Sequence, residues 1–247
     1  MFFPESYLST DLNGVTWTLT VFALFYIIFP RIVKPWLQHP LLISLFMFGI
    51  QYCYTFGTLK SYGSEGFREM FNQFPAFLGV IAIGMGCAFI YAKLIRKSFF
   101  GYKTVRIFFT LMIPVAVYLL TLALKKQAVS EKINYTQLLN RIPIACLFAL
   151  LLITMLFGVR LPFRKITAFL AGISFNVYLW HQQIAVWLKY RLRIPGWEGN
   201  DPPNILGDEM WMKKYNLTAW VSAIAIAITV TYLFEKPITK ILKKKLE

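Results

Sequence analysis

Three polar side chains in the second half of the sequence have types and a spacing that suit hydrogen bonding and proton transfer within a polar pocket. Ser174, Tyr178 and His181 occur at i, i+4 and i+7, so on an α-helix they share one face. Histidine is the side chain best suited to take a proton near neutral pH, and the two hydroxyls can donate to or accept from a ligand. The pattern therefore favours a polar pocket on one side of this helix.

The helix that would hold these residues is apolar enough overall to cross a bilayer. Residues 172–189 are mostly hydrophobic, although Asn176, Gln182 and Gln183 add further polar groups. Polar groups in hydrocarbon are costly without partners, so this face is expected to turn toward a helix bundle or a wet cavity. Two interpretations stay open here: a functional pocket, or interhelical hydrogen bonds that only hold helices together.

Composition points to a polytopic helical membrane protein. The chain has 247 residues, of which 57% are hydrophobic and 15% charged, whereas soluble domains have about a quarter charged. Repeated apolar runs of about 20 residues predict an all-α fold with about seven membrane-spanning helices in one domain over residues 1–247. The expected spans are 14–32, 40–58, 74–93, 105–124, 142–159, 166–189 and 217–235.

Prolines and glycines give these spans their expected limits and contacts. Pro30 and Pro35 are expected to close the first span. In the third span, Gly79, Gly84 and Gly86 predict close approach of a neighbouring helix.

The distribution of charge predicts the orientation. The net charge is +15, and most lysines and arginines fall between alternate spans, as expected for the cytoplasmic side. This places the amino terminus outside, the carboxy terminus in the cytoplasm and residues 190–216 in an extracytoplasmic loop. The basic residues thus predict contact with membrane lipids rather than nucleic acid, in what we expect to be a bacterial inner membrane.

The sequence predicts neither a disulfide nor a metal site. The cysteines lie in apolar runs without ligand spacing: Cys53, Cys87 and Cys146. The acidic residues of the 190–216 segment match no calcium loop: Asp201, Asp208 and Glu209. We interpret this segment as a solvated loop with interfacial tryptophans, Trp197 and Trp211.

Several stretches, in order along the chain, resemble the acyltransferase-3 family of membrane O-acyltransferases. Residues 13–30 are similar to that family's Trp-Ser/Thr-Leu-x-x-Glu-x-x-Phe-Tyr-x-x-x-Pro helix, and residues 174–182 to its Ser-Tyr-x-x-Tyr-Leu-x-His segment. Residues 72–79 resemble its Phe-Pro-x-Phe-x-x-Gly helix entry, and residues 232–237 its closing Glu-x-Pro. The resemblance implies transfer of an acyl group, usually acetyl, from an acyl-coenzyme A to a sugar or lipid hydroxyl.

Two departures from the family pattern argue against catalysis by this chain alone. The resemblance implies a catalytic histidine with an arginine ten residues before it, in earlier helices. Neither His39 nor His181 has an arginine at that distance, so we expect the chain to begin after those helices. The first motif also has Phe22 where the family has glutamate, and this exchange favours packing of Phe22 in the bundle over chemistry.

The remaining candidate residues receive structural interpretations. His181 is expected to be structural or substrate-facing, and His39 to be a solvated loop residue. Glu235 is expected to pair with a neighbouring basic residue or to cap a helix.

Two hypotheses for function follow. The first is a degenerate acyltransferase-3-like protein that serves as a non-catalytic subunit beside other integral membrane proteins and needs no cofactor. The second is a working O-acyltransferase that uses Ser174, Tyr178 and His181 with acyl-coenzyme A as substrate. In that case the chain acts alone or is completed by another polypeptide bearing the arginine–histidine helix.

Overall fold

The computed structural model of the protein describes residues 17–158 and 164–246, which are helical almost throughout and contain no β-strand. A long helix forms at each predicted position, which confirms the all-α fold class. The long helices are α1 (Trp17–Gln38), α2 (Pro40–Lys60), α4 (Leu78–Leu94), α5 (Lys103–Ala128), α6 (Ile133–Phe157), α7 (Arg164–Val186) and α8 (Glu209–Thr229). Two shorter helices are α3 (Glu65–Phe71) and α9 (Lys236–Leu246).

Six helical segments of the described chain are long and apolar enough to cross a bilayer. They are Thr18–Gln38, Pro40–Lys60, Phe74–Leu94, Lys103–Ala128, Ile133–Phe157 and Glu209–Lys244. Helix α7 has 23 residues and is also long enough to cross a bilayer, but it is less apolar than these segments because it contains Asn176, His181, Gln182 and Gln183. The sidedness of the termini and of the 190–216 segment remains a prediction.

Three predicted boundaries differ from the structure. Helix α1 continues through Pro30 and Pro35 to Gln38, because a spanning helix tolerates proline when its neighbours satisfy the freed groups. Helix α6 begins at Ile133 rather than at 142, with Pro143 inside it. Helix α8 begins at Glu209 rather than at 217, and it continues through a π-helical turn, Val230–Glu235, into α9. Positions 14–16 and 159 of the predicted spans lie outside the described residues.

The described residues fall into two compact units, one within 18–158 and one within 164–246. In the first unit α5 packs along α6, and α4 packs against α2 and α6. A buried cluster of Met47, Leu78 and Ala82 joins α2 to α4.

A buried amide caps the start of α4. The Gln51 side chain is 1% exposed, and its Oε1 accepts hydrogen bonds from the backbone N–H groups of Gly79 at 2.7 Å and Val80 at 3.3 Å. The first N–H groups of a helix have no partner within it, and in an apolar medium each must find one. A Cβ on Gly79 would lie 2.6 Å from Phe48 Cδ1, so this position requires glycine. Gly84 and Gly86 have open space beside them, so the expectation of close approach is wrong there.

An arginine holds the segment that enters α4. The Arg141 guanidinium on α6 donates to the Phe71 carbonyl at 2.8 Å and to Asn72 Oδ1 at 3.2 Å. It also lies over the Phe77 ring, 4.3 Å from the centroid. Arginine suits this place because its planar group can donate to several oxygens while it stacks on an aromatic face.

The second unit is built on the antiparallel pair α7 and α8. Ile184, Leu188 and Ala223 form its buried cluster, and the Tyr215 hydroxyl donates to the Ala185 carbonyl at 2.8 Å. Trp211 is 6% exposed and its indole N–H donates to the Pro195 carbonyl at 2.7 Å, so the expectation of an interfacial Trp211 is wrong.

Candidate functional site

An apolar cleft runs beside α7 and α8 in the second unit. Its volume is about 490 Å³, and its lining comprises Leu170, Ile173, Ser174, Val177, Tyr178, His181, Trp220 and Ile224. The three residues singled out by their helical spacing therefore lie along one cleft, as their shared face requires. The other lining side chains are apolar, so a ligand of this cleft would have a largely hydrocarbon body.

The hydrogen bond of His181 determines which nitrogen carries the proton when the ring is neutral. Its Nδ1 lies 2.6 Å from the Tyr178 carbonyl oxygen, which can only accept, so Nδ1 carries the proton. In the neutral ring the lone pair is then on Nε2, which is the form that a proton acceptor requires. The rings of Tyr178 and His181 lie 5.8 Å apart.

Ser174 is tied to its own helix. Its hydroxyl donates to the Ala171 carbonyl at 2.9 Å, which leaves only oxygen lone pairs for a ligand. The same kind of bond is made in α8 by Thr229, whose hydroxyl donates to the Ala225 carbonyl at 2.9 Å. Such bonds satisfy hydroxyl groups in an apolar medium without any ligand.

A separate polar contact joins α7 to the π-helical turn after α8. Asn176, 5% exposed, donates from Nδ2 to Thr231 Oγ1 and to Glu235 Oε2, both at 2.8 Å. Glu235 therefore has an amide partner, and the expectation of a basic partner or a helix cap is wrong. Its neighbour Lys236 instead places Nζ 3.7 Å from the centroid of the Tyr232 ring.

A second cleft, rich in lysine, adjoins this contact. It has a volume of about 620 Å³ and is lined by Gly172, Thr231, Glu235, Lys236, Thr239, Lys240, Lys243 and Lys244. For the terminal lysines the sequence predicts only contact with the anionic surface of the inner leaflet, and no specific site. The spacing of the four lysines already contains the signal, since positions i, i+4, i+7 and i+8 share a helix face.

Phe22 lies on an outward face of α1. Its side chain is 53% exposed, so the expectation that it packs in the bundle is wrong. Helix α1 is anchored at its other end, where the buried Trp36 donates from Nε1 to Ser44 Oγ at 2.9 Å and meets the Phe89 ring edge-on. At ~1.5 Å per residue, Phe22 lies about 21 Å from that anchor along the helix.

The other candidates are not among the residues that line either cleft. His39 is exposed between α1 and α2. Among the cysteines, Cys87 is buried, whereas Cys53 and Cys146 are exposed. Within the described residues no three His, Cys, Asp or Glu side chains come together as a metal site would require.

Fold and composition define the class: an all-α integral membrane protein with a polar face on one helix of a helix pair. The model of the acyltransferase domain family, Acyl_transf_3, matches residues 3–236, nearly the whole chain. The chain belongs to this family, in agreement with its sequence motifs. No curated protein and no solved structure matches it.

Proposed function

We propose that the chain is a non-catalytic member of its family that serves as an accessory subunit of a membrane complex. Phe22 carries the proposal. It occupies the motif position at which the resemblance expects a glutamate, and it presents an exposed aromatic ring in place of a carboxylate. A phenyl ring can neither orient a histidine nor accept a proton, but it is well suited to a protein contact.

The surroundings of Phe22 add to this support. Tyr26 and Ile27 lie one turn further along α1 and are 69% and 61% exposed. Phe22 and Tyr26, at i and i+4, share an outward aromatic face that Ile27 widens, and from Thr18 to Gln38 only Trp36 is buried. Membrane helices associate through close packing of such faces, and aromatic side chains contribute large contact areas.

The polar groups of the second unit support the same proposal. The carboxylate of the closing Glu-x-Pro motif, Glu235, is held by Asn176, and the Ser174 hydroxyl is held by its own backbone. The Asn176–Glu235 contact thus joins two helical segments, and the Ser174 hydroxyl is satisfied within its own helix; both are common uses of polar side chains within membrane bundles.

The test is photocrosslinking in the native membrane from a benzophenone side chain placed at Phe22. Phe108 on α5 is the matched control, because it is an aromatic residue of similar exposure, 56% against 53%. We expect position 22 to crosslink to one integral membrane protein that also copurifies with the unaltered chain in a fixed ratio. We expect no such product from position 108. Crosslinks to lipid alone at both positions would contradict the proposal.

A second candidate function, O-acyl transfer, is favoured by the tautomer of His181. Its neutral ring has the lone pair on Nε2, as a general base needs, and the residue lines a cleft whose apolar walls suit an acyl chain. The family implies an acyl donor, and acyl-coenzyme A would be the substrate. The chain would work alone or with a polypeptide that supplies an arginine–histidine helix.

Turnover of acetyl-coenzyme A by the purified protein, with a membrane lipid extract or a sugar supplied as the hydroxyl that accepts the acetyl group, separates the two functions. The accessory role predicts no thioester loss above the rate in empty detergent micelles. The enzyme predicts turnover that His181→Gln abolishes and that Gln182→Ala, an exposed neighbour, preserves. General-base catalysis contributes about 10²–10⁴-fold, so the two outcomes are easily distinguished.

A further inference from the structure

The lysine cleft has a geometry and a charge that the proposed function does not use. Helix α9 is amphipathic: Lys236, Lys240, Lys243 and Lys244 line the cleft on one face. On the opposite face Ile238, Ile241 and Leu242 are 53%, 59% and 55% exposed. Helices with a basic face and an exposed apolar face are typical of the membrane interface.

The charges in the cleft are strongly unbalanced. Among the described residues Glu235 is the one acidic side chain in its lining, and it already accepts a hydrogen bond from Asn176. Lys236 is engaged with the Tyr232 ring. Lys240, Lys243 and Lys244 remain as three cations within two helical turns, and Thr239 lines the same cleft. Three ammonium groups and a hydroxyl around one cavity form a set of donors suited to a phosphate group.

Helix length places this cleft at the level of lipid headgroups. The segment Glu209–Lys244 is one continuous helix of 36 residues. At ~1.5 Å per residue it is about 54 Å long, whereas the hydrocarbon core of a bilayer is about 30 Å thick. The surplus length must therefore project beyond the core, and both ends carry charges that require a polar medium: Glu209, Lys213 and Lys214 at one end, and the four lysines of the cleft at the other.

We propose that the lysine cleft binds the phosphate headgroup of an anionic phospholipid. The phosphate lies among Lys240, Lys243 and Lys244, while the exposed isoleucines and leucine of α9 contact the acyl region. A lipid occupant is favoured over a soluble phosphate because the basic and apolar faces belong to the same helix, and only a lipid engages both.

The experiment is native mass spectrometry of the full chain in a nonionic detergent, titrated with phosphatidylglycerol or with phosphatidylcholine. The test variant is Lys240→Gln/Lys243→Gln/Lys244→Gln. The matched control is Lys125→Gln/Lys126→Gln/Lys132→Gln, because these lysines are also exposed but lie at the ends of α5 and α6. Circular dichroism and a melting curve establish that each variant is folded.

We expect phosphatidylglycerol to bind in preference to phosphatidylcholine. Each interfacial lysine contributes about a factor of five in affinity for an anionic lipid. The test variant should therefore lose roughly a hundredfold in affinity, while the control variant binds like the unaltered protein. Equal binding of the two lipids, or equal loss in both variants, would overturn the proposal. Competition with inorganic pyrophosphate identifies the source of the phosphate. If pyrophosphate binds more tightly than phosphatidylglycerol and displaces it from the protein, the cleft is assigned to a soluble polyphosphate instead.

Discussion

Asn176 and Glu235 are 59 residues apart in sequence and are joined by a 2.8 Å hydrogen bond between the Asn176 amide and the Glu235 carboxylate. The same amide reaches Thr231 Oγ1, one turn before Glu235. Between them, Thr231 and Glu235 use both N–H groups of the amide. This contact links the helix that carries the Ser-Tyr-x-x-Tyr-Leu-x-His resemblance to the segment that carries the closing Glu-x-Pro, through an asparagine of this chain, so the two segments have a shared structural role.

Asn176→Ala should therefore loosen the α7–α8 pair. The substitution leaves the Glu235 carboxylate and the Thr231 hydroxyl without their amide partner, at an expected loss of about 1–2 kcal/mol in the free energy of unfolding. The measurement is unfolding of the purified protein in mixed micelles, followed by circular dichroism. Gln182 is an exposed amide on the same helix, so Gln182→Ala should change the free energy of unfolding by less than about 0.5 kcal/mol. Equal losses in both variants would refute the structural role of the contact.

Gly79→Ala should destabilise the first unit, because the added Cβ would lie 2.6 Å from Phe48 Cδ1 and 2.9 Å from Gln51 Oε1. Either the Phe48 ring or the amide that caps α4 must move, at about 1–3 kcal/mol. Gly84→Ala is the matched control on the same helix, since its Cβ meets nothing within 4 Å. There alanine should leave stability unchanged or raise it by up to about 1 kcal/mol. The melting temperature should thus fall in Gly79→Ala and stay the same or rise in Gly84→Ala. An equal shift in both variants would show that Gly79 is not required for the contact with Phe48 and Gln51.

Arg141→Lys should release the segment that enters α4 even though the charge is kept. Lysine cannot reproduce the planar donor that reaches the Phe71 carbonyl and Asn72 Oδ1 while stacking on Phe77. We expect a loss of about 1–3 kcal/mol and faster amide hydrogen exchange in residues 71–77. Arg96→Lys, an exposed arginine, is the control and should leave exchange in that segment unchanged. Unchanged exchange in Arg141→Lys would show that the arginine does not hold the segment.

These contacts mark the limit of sequence-based prediction for this chain. The common cleft of Ser174, Tyr178 and His181 follows from helical periodicity, which is a local property. The Gln51–Gly79 bond spans 28 residues and the Arg141–Phe71 bond spans 70, and neither spacing has a sequence signal. The exposure of Phe22 was likewise unpredictable, because an apolar residue in a membrane helix can face lipid or protein equally well.

Asp208 explains why α8 begins eight residues before the predicted span, at Glu209 rather than at 217. Its Oδ1 accepts a hydrogen bond from the Trp211 backbone N–H at 2.9 Å, which is the geometry of an N-cap. The composition of this segment is polar, so apolar run length alone could not detect the start of the helix. The first turn is stabilised by the capping residue and by the stacking of Trp211 on Tyr215, whose ring centroids are 5.1 Å apart.

Asp208→Ala should accordingly unravel the first turn of α8 and expose Trp211. Loss of an N-cap costs about 1 kcal/mol, and the freed indole should be quenched more readily by iodide. Asp201→Ala is the matched control, because Asp201 is an exposed acidic residue of the same segment that precedes the helix. If both variants show the same stability and the same quenching, Asp208 does not cap α8, and the early start of this helix rests on the packing of Trp211 alone.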